Sequence, residues 1–139
     1  MSKVEALKMF LEEYAVFFEG LLVDEKSKLQ TLMHGELKDI EHTISVQQVN
    51  EKKIQNIEKK REVFQAEAGY ANLTFKQIIE LFEGAEKQQL TEVYQRIQTA
   101  VQEVKYYNQK GIEVATTNLK LAGDSHIENT YSKESIQKK

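Results

Sequence analysis

The sequence predicts an all-α fold: an elongated antiparallel helical bundle, or coiled-coil hairpin, with three long helices, one short helix and a disordered polar C-terminal tail. Three observations carry this expectation. The 139 residues include no proline and only six glycines, so little interrupts a long helix. Lysine, glutamate, glutamine and leucine dominate, a composition suited to solvated helix rather than sheet. Apolar residues then recur at alternating spacings of three and four, which gathers them on one helical stripe.

The first helix, Ser2 to Met33, carries Val4, Leu7, Leu11, Tyr14, Phe18, Leu21 or Leu22, Leu29 and Leu32 on its stripe, widened by Phe10 and Phe17. Glu25 falls on the same stripe and reads as a solvated turn. His34-Gly35 breaks the pattern, with glycine expected as the left-handed residue that ends a helix. The second helix, Glu36 to Glu67, uses Leu37, Ile40, Ile44, Ile54, Ile57 and Phe64. Its middle is weak, because Gln47 and Glu51 stand where apolar residues belong. Polar residues in a seam lower stability but help to fix register. Ala68-Gly69-Tyr70 ends this helix by the same glycine logic.

A short third helix has the clearest start signal. Thr74 and Gln77 form a capping box, flanked by Leu73 and Ile78 at the positions of a hydrophobic staple. It carries Ile78, Ile79, Leu81 and Phe82 and stops near Gly84. The last helix, Glu86 to Ala122, has the stripe Leu90, Val93, Tyr94, Ile97, Val101, Val104, Ile112, Ala115 and Leu119. Helices of about 50 Å at 1.5 Å per residue, joined by short connections, are expected to fold antiparallel. Residues 1–122 form the expected helical domain. Residues 123–139 are polar, with little to bury, and read as a disordered tail.

The net charge is −3, with acids and bases interleaved, so no basic face for nucleic acid is visible. No stretch approaches the roughly 18 apolar residues of a membrane span. The opening Met-Ser-Lys-Val-Glu-Ala-Leu lacks the apolar centre of a signal peptide, and cysteine is absent. A cytoplasmic protein without an integral membrane segment is the expectation.

Catalytic patterns are missing as well. Asp39-Ile-Glu-His42 has metal-ligand spacing but no mate on a second helix. His34 and His42 read as surface residues, and no phosphate loop or nucleophile motif occurs. The sequence therefore predicts no catalytic residue, no metal and no cofactor.

One feature points to a partner. Ala100, Tyr107, Val114 and Leu121, at intervals of seven, form a second seam beside the main stripe of the last helix. An antiparallel pair needs only the narrower seam. The second is either buried in a three-helix bundle or homodimer, or it accepts an amphipathic helix from a client. Asn108, central in the main stripe, can bond a partner backbone or impose register, or it marks a hydrated end of the bundle.

The run Leu29-Gln-Thr-Leu32-Met-His-Gly35-Glu36-Leu37-Lys-Asp-Ile40-Glu41 resembles the first helix junction of FlgN-type flagellar export chaperones. Ile54-Gln-Asn-Ile57-Glu-Lys-Lys-Arg61, Leu73-Thr74-Phe75-Lys-Gln-Ile78 and Val104-Lys-Tyr-Tyr107-Asn108 are similar to later segments of that family, in order over residues 4–122. Gly111 departs from it, standing where the family often has a second asparagine. The resemblance implies a chaperone that binds the C-terminal helices of hook-associated proteins, which form the hook–filament junction. It would prevent their early assembly and deliver them to the flagellar export gate. It places the partner surface on Tyr107, Asn108, Ile112, Val114, Ala115, Leu119 and Leu121, with Tyr131 as a candidate docking residue for the gate. The alternatives are a homodimeric coiled-coil scaffold or tether and, from the enzymes, a metal-dependent four-helix oxidase.

Overall fold

A computed structural model of the chain describes residues 2–122, with side chains described through residue 117. Four helices follow in order: α1 (Lys3–His34), α2 (Leu37–Ala68), α3 (Phe75–Ile79) and α4 (Gly84–Ala122). No strand occurs among the described residues. The expected disordered tail, residues 123–139, lies outside them.

The long helices each contribute to two compact units, whose described residues are 2–20 and 54–101 in one and 21–53 and 102–122 in the other. The first unit has an aromatic core. Phe10 stacks on Phe64 with centroids 4.6 Å apart, and Tyr14 meets Phe18 and Phe75 at 5.0 Å each. Leu7, Leu11, Ile78, Leu90, Val93 and Ile97 are buried in the same unit. The stripes of α1 and α4 are therefore core here, as their spacing predicts.

A polar chain along one face of α2 ties this core to the connection before α3. Glu58, Arg61 and Gln65 stand three and four residues apart, so they share a face. The Tyr14 hydroxyl donates to Glu58, and Arg61 Nε donates to Gln65 Oε1 at 2.7 Å. Gln65 Nε2 then donates to the carbonyls of Tyr70 (3.0 Å) and Leu73 (2.8 Å), holding the loop in which Leu73 N–H also donates to the Tyr70 carbonyl at 3.2 Å. The Arg61 guanidinium lies 3.9 Å from the Phe75 ring centroid, a cation–π contact that also covers the aromatic core. Thr74 caps α3 with both halves of the capping box formed. On the surface, Arg96 grips Glu12 and Glu19 with bonds of 2.8 Å to each, and this pairing holds the Glu19 carboxyl below its ordinary range.

The second unit is built differently. Leu32, Ile40 and Ala115 form a small apolar cluster, with Ile44, Ile112 and Val114 packed on it. Beside it lies a buried polar layer drawn from all three long helices. Glu25 and Lys28 come from α1, Gln47 from α2 and Asn108 from α4, each at most 5% exposed. Lys28 Nζ sits 2.5 Å from Glu25 Oε2 and also donates to Gln47. Asn108 Nδ2 donates to Glu25 Oε1 (3.2 Å) and to Gln47 Oε1 (3.1 Å). Glu25 is thus no solvated turn: it lies within an unbroken helix and is 2% exposed. Burial pushes the Lys28 ammonium below its ordinary pKa, against the opposing pull of Glu25 and Glu51.

Two glycines also differ from expectation. Gly69 does take the left-handed conformation, with φ of 85°, but Gly35 has no positive φ. A Cβ at Gly35 would stand 2.5 Å from the Thr31 carbonyl oxygen, so close approach rather than handedness requires glycine there. The start of α4 is the left-handed Gly84, φ 61°, two residues before the expected Glu86. The short α3 ends at Ile79, and Leu81 is left 63% exposed rather than packed.

Two outcomes test this architecture. Lys28→Met leaves the Glu25 carboxylate buried without its cation and should cost about 3–5 kcal/mol in urea unfolding, whereas Glu25→Gln with Lys28→Met should regain most of that loss. An equal loss in both variants would show that the charges do not act as a pair. The second concerns alkaline pH. Burial, followed by the hydrogen bond to Glu58, raises the Tyr14 pKa above its ordinary 10.0. Tyrosine ionises first in the unfolded chain, so this contribution is complete below pH 10 and declines as pH rises toward the folded-state pKa. The stability gap between the parent chain and Tyr14→Phe should therefore narrow above pH 10, followed by denaturant melts at each pH.

Candidate partner-binding groove

The groove lies within the second unit, between the end of α1 and the later half of α4. On α4, Tyr106, Lys110, Glu113 and Thr117 follow at three- and four-residue spacing and form one wall, with Tyr107 and Val114 along its inner edge. Leu29 and Met33, one turn apart on α1, form the other wall. The volume of the groove is about 480 Å³. Tyr106 and Met33 are 58% and 51% exposed, so the apolar lining is open to solvent.

Local contacts set the two tyrosines. Their rings meet edge-on at 5.2 Å, and Lys26 Nζ lies 5.5 Å from the Tyr107 centroid. The ring of Tyr107 is thereby held half-buried while Tyr106 projects outward. At the rim, Lys110 and Glu113 pair at 3.6 Å, leaving one charge of each sign beside the apolar floor.

The expected site residues divide into three groups. Tyr107 and Val114 are brought together in the groove, both half-buried. Ala115 is fully buried in the apolar cluster and Ile112 packs on that cluster, so both support the groove from beneath. Asn108 points into the polar layer and spends its amide donors on Glu25 and Gln47. It is neither a groove residue nor a hydrated end of the helices. The side chains of Leu119 and Leu121, and the whole of Tyr131, lie outside the described residues.

The second seam is not uniform. Ala100 is buried, 3% exposed, whereas Tyr107 and Val114 are half-buried, so among the described residues the seam is covered in the first unit and partly open in the second. Sequence reasoning missed Tyr106 and Met33, and it assigned Leu29 to the interior. The helical relation of Tyr106 to Lys110 and Glu113 was available as a signal, but the three-to-four pattern there mixes polar and apolar residues. Gly111 is buried too, and a Cβ there would meet Leu32 Cδ1 at 3.3 Å. A larger residue would press α4 against α1, which gives a physical reason for glycine at this turn.

Among the described residues, no group of three or more histidine, aspartate or glutamate side chains is placed to hold a metal ion, and no helix is long and apolar enough to cross a membrane. No protein-family model, curated protein or solved structure matches the chain.

The different environments of Asn108 and Tyr106 give a direct check. Asn108→Ala removes a buried donor from Glu25 and Gln47 and should lower stability by about 1–3 kcal/mol. Tyr106→Ala, at an exposed groove position, should change it by no more than about 0.5 kcal/mol. Urea unfolding followed by circular dichroism measures both, and equal losses would contradict this division.

Proposed function

We propose that the protein is a cytoplasmic helix-binding chaperone of flagellar type III export, acting by binding and not by catalysis. In this reading it holds C-terminal helices of hook-associated proteins, prevents their early assembly and delivers them to the export gate. The observation that carries the reading is the open apolar groove of Leu29, Met33, Tyr106, Tyr107 and Val114. A groove between two helices suits an amphipathic helix that lays its apolar face between them. The resemblance of residues 4–122 to FlgN-type chaperones supplies the client class and points to the same end of the last helix.

The energetics are consistent with such a partner. Met33 and Tyr106 retain most of their accessible surface, and covering large apolar side chains contributes on the order of 1 kcal/mol or more each. Tyr107 and Val114 add the remainder of theirs. Polar groups at the rim orient a bound helix without requiring burial of a charge, because Lys110 and Glu113 are both about half exposed.

A homodimeric scaffold or tether is the second reading, favoured by one observation. Met9 and Val16 lie seven residues apart on α1 and are 60% and 59% exposed, the spacing of a coiled-coil seam. Sedimentation separates the readings, since the scaffold requires a tight dimer without any client.

The decisive experiment is titration with the C-terminal peptide of a hook-associated protein. Met33→Ala combined with Tyr106→Ala should weaken binding about ten-fold or more, corresponding to a loss of about 1.4 kcal/mol or greater, while helicity stays unchanged. Undiminished affinity in the double variant would remove the groove from the reading; no binding by the parent chain would remove the client.

A further inference from the structure

We infer that a second groove of the same unit, between α1 and α2, binds a small zwitterion of the α-amino-acid class. It shares no residue with the groove between α1 and α4, and its volume is about 500 Å³. Asp24 lies on its α1 wall and Lys53 on its α2 wall, with Asn50 and Lys28 at the floor, both 3% exposed. Three of these four groups are unspent. Asn50 Nδ2 is buried without a hydrogen-bond partner, a state less favourable than leaving the donor in water and relieved by any acceptor that reaches it. Asp24 and Lys53 are exposed, and neither enters an ion pair among the described residues. Lys28, by contrast, is matched by Glu25 at 2.5 Å.

The register of the two helices gathers the unspent groups at one end of the groove. α1 and α2 run antiparallel, and Lys28 donates to Gln47 between them. One turn back along α1 and one turn on along α2 bring Asp24 level with Asn50. Lys53 follows Asn50 by three residues and shares its face. A carboxylate thus stands on one wall, facing an amide and an ammonium on the other. Asn50 lines the groove, and rotation about its last side-chain bond turns Nδ2 into it.

Charge and hydrogen bonding then select the ligand. A plain carboxylate would meet Asn50 and Lys53 but lie beside Asp24. A plain ammonium would meet Asp24 and leave Asn50 unbonded. A molecule that carries both groups on one carbon serves all three: its carboxylate accepts from Asn50 Nδ2 and Lys53 Nζ, and its ammonium donates to Asp24. Ser27 and Ser45 line the rest of the groove with hydroxyls, which suits a small polar side chain. The site is independent of the chaperone reading, because the groove between α1 and α4 supplies none of its groups.

Titration of the full chain with free glycine, L-serine, acetate and methylammonium tests the site, with the side-chain amide signals of Asn50 followed by heteronuclear NMR. The two amino acids should shift these signals saturably, with a Kd about ten-fold or more below that of acetate or methylammonium. Asp24→Asn and Lys53→Gln change exposed side chains and should leave the fold intact, which circular dichroism checks. Each should weaken glycine binding about ten-fold, while Asp24→Asn should leave acetate binding equal or stronger. Equal affinities for glycine and acetate in the parent chain would overturn the proposal in favour of a simple anion site. Absence of a saturable shift, or unchanged glycine affinity in both variants, would overturn it altogether.

Discussion

Glu25, Lys28, Gln47 and Asn108 meet inside the second unit, where all three long helices interrupt their apolar stripes at the same level. Each of these groups is costly to bury alone, and the cost falls only when the others stand opposite. Shifting α4 by one turn would bring Val104 or Ile112 against the carboxylate and strand the amide. The layer therefore favours one register, at the expense of stability that an apolar layer would supply. Its satisfaction is incomplete, since Asn108 Oδ1 is buried without a hydrogen-bond partner. Such a layer is better suited to specifying an arrangement than to maximising its strength.

That constraint shapes the groove. Asn108 must face inward to reach Glu25 and Gln47, which fixes the rotation of α4 over this stretch. Tyr107, one residue earlier, is turned about 100° away, and Tyr106 about 200°. The half-buried placement of Tyr107 and the outward placement of Tyr106 are thus geometric consequences of the inward placement of the asparagine. Gly111 and Leu32 then allow α4 to lie close on α1, and the apolar cluster of Leu32, Ile40 and Ala115 supports the groove floor. Opposite demands, polar within and apolar without, are met by one helix because its faces differ.

The first unit shows the contrasting solution. Aromatic rings fill it, and its polar network runs along the margin of the core from Tyr14 through Glu58, Arg61 and Gln65 to the carbonyls before α3. There the second seam of α4 is covered at Ala100.

Helix identity and extent were legible in the sequence because a three-to-four periodicity, the absence of proline and a capping box at Thr74 are local signals. The bounds of α1 and α2 fall within a residue of their expected positions, and the aromatic residues of the first unit lie where their stripe puts them. The sequence also marked Glu25, Gln47 and Asn108 as departures from the pattern, but not that they belong together. Their union depends on contacts across 61 to 83 positions of chain, which no local period encodes. Whether Asn108 faced a partner or the interior, whether Gly35 answered a left-handed turn or a close approach, and which part of the second seam stayed open were decided by packing alone. A stripe records which face of a helix is apolar; only the neighbouring helices determine how much of that face is covered.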